Sequence, residues 1–255
     1  MPITTAVFYE DVDLAGAWGN LAALSDQHIF TAGDDLTVPE LNQVVALTAG
    51  IGSGGNQLAR ISSPSLRRIT LPQIHPHNGG ADADVEPDAN PPVYDLRRSP
   101  IPLDEDEALN AEGHSNTSAA AKQWVIVWLS NSTIQPVEGN ITTCRGTNTD
   151  TLVADVWTNG NLTLDEDLPK GRYQLVGMRA LSAGLICARA VFRGGRWRPG
   201  TIGCDDAQDL TPDIFRHGRM GVWGEFDHNQ APSIDFLSMS GDSSQEVFLD
   251  LIKVS

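Results

Sequence analysis

The sequence predicts an all-β protein with an antiparallel β-sandwich core, and three observations carry that expectation. After residue 121, short apolar runs follow one another closely, separated by turn residues and without helical patterns between them. Asn159-Gly160 lies between two such runs, and Asn-Gly is the strongest short hairpin signal because both positions accept positive φ. Hydrophobic residues make up 40% and charged residues 20%, a balance that supports a buried core over a disordered chain. Many short strands without intervening helices point to a sandwich of the jelly-roll kind. All-β folds often exceed about 200 residues as one unit, so a single domain over residues 1–255 is expected.

Residues 1–74 read as an N-terminal elaboration of that core. Pro39 suits a first helical turn, Leu41, Val44, Val45 and Leu47 follow helical spacing, and Gly50 stops the run; a short helix is expected there. Ser65–Ile74 reads as extended, with Ile69 and Leu71 on one face and Arg68 and Thr70 on the other. Residues 75–120 are dense in Pro, Asp, Asn and Gly and poor in core residues, so a long polar loop or arm is expected. The first 75 residues lack the clear strand procession that a second barrel needs.

The procession starts with Lys122–Leu129, apolar on both faces like a central buried strand. Leu152–Thr158 and Asn161–Leu164 flank Asn159-Gly160, and Arg172–Ala180 follows. Gly184–Phe192 places Ile186, Ala188, Ala190 and Phe192 on one face. Arg219–Phe226 turns Met220, Val222 and Phe226 inward and Arg219, Trp223 and Glu225 outward, and Glu246–Val254 closes the chain. No repeat with a period of roughly 20–50 residues is apparent, which disfavours propellers and solenoids.

Composition limits the partners. A net charge of −16 leaves a surface that repels phosphates, so no direct nucleic-acid binding is expected. The longest apolar runs, such as Trp124–Leu129, fall short of the roughly 20 residues of a membrane-spanning helix, and no transmembrane segment is expected. The N-terminus has no basic stretch before an apolar one, so no secretory leader is expected. Cys144, Cys187 and Cys204 contain no C-x-x-C pair and read as reduced small residues.

No catalytic, cofactor-binding or metal-ligating residue is expected. Gly50–Asn56 is glycine-rich but lacks the Lys-Ser/Thr of a phosphate loop, and Ser53 lacks the glycine frame of a nucleophile elbow. In His75-Pro76-His77 the proline keeps the segment extended and points the imidazoles apart. The acidic runs 82–88 and 104–107 lack the EF-hand pattern and read as solvated loops. Asp155, Asp165, Asp167 and Glu225 sit on or beside strands, where a carboxylate pair for glycoside hydrolysis would need two of them close in space. Trp157, Trp197 and Trp223 could stack on sugars or form half-buried packing. Arg193–Arg198, with Gly194-Gly195 inside, reads as a tight hairpin.

Three stretches carry a family resemblance: Leu168–Met178, Gly221–Phe226 and Gln245–Val254. With the long polar loops and the C-terminal strand, they resemble the jelly-roll coat proteins of tailless icosahedral phages and archaeal viruses. The resemblance implies a capsid subunit of the virion, made in the host cytoplasm. Its partners would be copies of itself, in trimers or hexamer-like capsomers, and other virion proteins. A carbohydrate-binding sandwich, as in a phage appendage or cell-surface lectin, is the alternative expectation. A cupin-like or glycan-active enzyme is the third.

Overall fold

A computed structural model describes residues 2–24, 29–52, 57–69, 71–76, 92–116 and 120–255. It is all-β with several antiparallel sheets, consistent with a β-sandwich; among the described residues there is no α-helix. None therefore has a helix long and apolar enough to cross a membrane. The chain divides into two compact units. One is built from the described residues of Ala6–Asn131, the other from Ser132–Ser255 with the N-terminal residues up to Thr5.

The N-terminal unit contains β1 (Ile3–Asp13) from Ala6 onward, β2 (Trp18–Leu21), β3 (Phe30–Ala32), β4 (Asp35–Thr37), β5 (Gln43–Gly50), β6 (Leu58–Ser62), β7 (Gln73–Ile74), β8 (Tyr94–Asp95), β9 (Ile101–Pro102), β10 (Asn110–His114) and β11 (Ala120–Ser130). Its five-stranded sheet runs β1-β11-β5-β8 with β9 also on β5; its four-stranded sheet runs β2-β10-β6-β7, and β3 pairs with β4.

The C-terminal unit contains β12 (Ile141–Asn148), β13 (Trp157–Gly160), β14 (Thr163–Leu164), β15 (Arg172–Leu181), β16 (Leu185–Val191), β17 (Gly200–Ile202), β18 (Gly224–Asp227), β19 (Ser233–Ser238) and β20 (Gln245–Lys253). Its sheets run β14-β12-β20-β15-β18 and β13-β19-β16-β17. With the accessory strands β3, β4, β9 and β14 set aside, each unit has eight strands in one common order. Numbered within its unit, one sheet runs first-eighth-third-sixth and the other second-seventh-fourth-fifth. The strand procession thus begins at Ile3, well before residue 121.

The central strand expected at Lys122–Leu129 is present within β11, where Trp124 to Leu129 are fully buried beside β5. The helix expected after Pro39 is instead the strand β5. Val44, Val45, Ala46, Leu47 and Ala49 are all buried, so both faces of the run are covered. A segment apolar on both faces satisfies helical and strand periods alike, and β-branched Val44, Val45 and Thr48 favour the strand. Gly50 ends no helix: it pairs with Trp124, and a Cβ there would collide with the Trp124 indole.

The arm expected over 75–120 contains β8, β9 and β10 in its described part; residues 77–91 and 117–119 lie outside the described residues. β10 is an inner strand between β2 and β6. Its buried face is made of Ala111 and Gly113, and a Cβ on Gly113 would strike Leu14 and Ile51. Small residues fill that face, which is why counting large hydrophobic residues misses it. Among the described residues of Ser65–Ile74, Leu66–Arg68 forms a 3₁₀ turn and only Gln73–Ile74 is strand; Thr70 lies outside the described residues.

Asn159-Gly160 is not a hairpin turn. Both residues lie in the β13–β19 ladder, opposite Asp235 and Ile234. Gly160 is required by close approach, since a Cβ would overlap the Asn148 side chain. Trp223, expected outward, is buried.

Gly50→Ala is expected to destabilise the fold by about 1–3 kcal/mol through overpacking against Trp124, read as a lower midpoint in urea unfolding.

Candidate functional site

The residues singled out in the sequence do not converge. His75 is exposed and its backbone N–H donates to Tyr94 Oη at 3.0 Å, while His77 lies outside the described residues. Asp155 has φ 67 and its N–H donates to Ser238 O. Asp165 follows the edge strand β14 and pairs with Arg145 at 2.8 Å. Glu225 lies on β18, the opposite edge, and pairs with Arg172 at 2.6 Å. Four strand spacings of roughly 4.8 Å separate those edges, too far for a carboxylate pair to share one bond. Asp167 is exposed beside β14.

The acidic run 104–107 folds on itself. Glu107 accepts from Ser65 Oγ at 2.7 Å and from the Asp104 N–H at 2.9 Å. Hydrogen bonds from Ser65 and Asp104 outweigh the burial that opposes them and hold its carboxyl below the usual range. The run 82–88 and Ser53–Asn56 lie outside the described residues. At Arg193–Arg198, Gly194 has φ 70 and the Gly195 N–H donates to Phe192 O, as a tight turn requires. Among the described residues, no group of three or more His, Cys, Asp and Glu could hold a metal ion. All three cysteines are free, and burial pushes the Cys187 thiol up to about 12, so it stays protonated and inert.

What the fold does assemble is one polar row, twice. In the C-terminal unit Asn159, Asp235 and Arg189 stand opposite one another across β13, β19 and β16. Asn159 Nδ2 donates to Asp235 Oδ1 at 2.8 Å, and Arg189 Nη2 donates to Asp235 Oδ2 at 3.2 Å. Trp157, two residues before Asn159, lies under the Arg189 guanidinium at 3.6 Å. In the N-terminal unit Asn20, Glu112 and Arg60 stand opposite one another across β2, β10 and β6. Arg60 Nε donates to Glu112 Oε2, and its guanidinium lies 4.0 Å over Trp18, two residues before Asn20. The four residues occupy the same strands, by place in the unit, in both copies.

A guanidinium cannot shed its proton in a protein, so a buried arginine needs a counter-charge held in register. Arg189 is 1% exposed, and Asp235 supplies that charge while Trp157 replaces lost hydration with its ring. The sequence carries a faint trace of the repeat: Trp-x-Asn at 18–20 and 157–159, and Ala-Arg at 59–60 and 188–189. Unequal connectors shift each pair by a different amount, so no fixed period exposes it.

The C-terminal unit has a second charged centre at Asp250 on β20, whose side chain is fully buried. It accepts Arg216 Nε at 2.7 Å, Arg216 Nη2 at 2.9 Å, the His217 N–H at 2.9 Å and Thr143 Oγ1 at 2.7 Å. Burial opposes the charge, but these donors outweigh it and hold the carboxyl below its usual value. The centre fastens the connector 213–221 to the sheet, including His217 at φ 51.

No family model matches the chain, and no curated protein matches it significantly.

Arg189→Ala should cost about 3–5 kcal/mol by stranding Asp235, and Arg60→Ala less, because Arg60 is 20% exposed; paired denaturation curves measure both. A carboxyl with a depressed folded pKa stabilises above the unfolded value, about 3.9, and loses that stability as pH falls through the folded value. Asp250→Asn is therefore expected to lower stability most at neutral pH, with the gap to wild type closing below about pH 4. Unfolding free energies across a pH series test this.

Proposed function

We propose that this chain is a structural coat subunit of a virus shell, built of two tandem jelly rolls and assembling with copies of itself. The observation that carries the reading is the strand order. First-eighth-third-sixth beside second-seventh-fourth-fifth, in eight strands and two sheets, supports a jelly-roll winding, an architecture used by viral capsids, lectins and cupins. Its doubling in one chain with the same polar row favours the coat among those three. A shell tiles a closed surface with near-equivalent contacts, and a chain carrying two near-equivalent units supplies them twice.

The other uses of the fold receive less support. A cupin works inside its barrel, whereas the described inner faces here are filled by side chains such as Ala188, Ala190, Ile234 and Phe236. A lectin stacks sugars on open aromatic faces. Trp157 and Trp18 each hold an arginine over the ring, and Trp223 is buried. An acidic subunit repels its neighbours, so association should strengthen as salt screens that repulsion.

Light scattering and electron microscopy across salt and calcium concentrations are expected to show discrete oligomers or closed particles. A chain that stays monomeric throughout while binding a defined glycan would overturn the coat reading in favour of a lectin.

A further inference from the structure

We propose that the Asn20–Glu112–Arg60 row of the N-terminal unit, with the adjacent Arg67, Arg68 and Ile69, seats the segment leading into β12 of a second copy of this chain. This rests on the coat reading and adds the contact through which copies join.

The matching row in the C-terminal unit shows what such a row carries. There, Arg189 Nη1 donates to Thr5 O at 3.2 Å. The Thr5 N–H donates to Arg198 O at 2.9 Å, and the Arg198 N–H donates to Thr4 Oγ1 at 3.2 Å. An extended segment at the start of β1, the first of eight strands, thus lies on the row and leaves Arg189 only 1% exposed.

The row in the N-terminal unit has the same arginine, acid, asparagine and tryptophan, but Arg60 keeps 20% of its side chain exposed. Beside it, Arg67 reaches Glu112 at 4.0 Å and is 61% exposed. Arg68 is also exposed, and Ile69 is 82% exposed, the most open large hydrophobic residue described. A basic, apolar patch on a chain of net charge −16 is complementary to an acidic stretch of another copy.

By place in the fold, the counterpart of the start of β1 is the lead-in to β12. Glu138, Gly139 and Asn140 are exposed there, and residues 131–144 include Glu138 and neither Lys nor Arg. The Glu138 carboxylate suits Arg67 and Arg68, and the backbone at Gly139 and Asn140, beyond the Val137 N–H held by Gly218 O, can meet the row as Thr4 and Thr5 do. Such a contact is heterologous, with the seat on one copy and the lead-in on the next, so it propagates until a ring or shell closes.

Two full-length variants test the contact: Arg67→Glu with Arg68→Glu, which spoils the seat, and Glu138→Arg, which spoils the lead-in. Each is expected to stay monomeric by sedimentation velocity with a wild-type circular dichroism spectrum. Mixed, they should associate again, because the intact seat of one meets the intact lead-in of the other and the reversed charges of the second contact also attract. As a second measurement, Ile69→Cys and Asn140→Cys on separate chains should trap a disulfide-linked dimer under mild oxidation. Variants that assemble like wild type, or a folded mixture that stays monomeric with no trapped dimer, would overturn the seat and leave the coat reading standing. A wild-type chain that never associates would overturn both.

Discussion

The fold turns on a buried charge that cannot be neutralised by losing its proton. Arg189 on β16 is enclosed, and Asp235 on β19 stands directly opposite it. A slip of one residue between those strands would turn Arg189 toward the apolar interior and leave Asp235 unpaired. The ion pair therefore selects one register, and with it the inward placement of Ala188, Ala190, Ile234 and Phe236. Asn159 extends the same constraint to β13, and Trp157 lies under the cation. In the N-terminal unit, Arg60, Glu112 and Trp18 impose the same condition on β6 and β10, while Asn20 on β2 stands opposite Glu112 and donates its amide to Asp34.

Around these rows the units treat charge differently at the surface and inside. Arg145 pairs with Asp165 and Glu246 on an open sheet face, where solvent and salt screen the attraction and each contact adds little. Asp250 is enclosed and holds four donors, so its role is positional: it fixes a connector that sterics alone would leave free. Ordering a connector costs conformational entropy, and the four donors on Asp250 offset that cost here.

Some of this was legible in the amino-acid sequence. Trp124–Leu129 is apolar throughout and reads as a central strand; closely spaced runs after residue 121 announce β structure; the Arg193–Arg198 turn follows from Gly194-Gly195. Other elements were not. Val44 to Ala49 fits a helix as well as a strand, and only the presence of β11 and β8 on its two sides decides between them. Gly113 of β10 is core because Leu14 and Ile51 fill the space above it, a fact about neighbours that composition does not hold. Asn159-Gly160 has local turn propensity, yet pairing with Asp235 and Ile234 overrides it.

The polar rows mark the boundary most clearly. The sequence by itself determined an acidic, strand-rich chain with enough apolar residues to bury a core, because composition and short-range periodicity set those properties locally. Tertiary structure alone decided that Trp18 belongs with Arg60 and Glu112, and Trp157 with Arg189 and Asp235. The partners come from strands far apart in the chain, joined by connectors of unequal length, so the spacing that relates them exists across the sheet and not along the sequence.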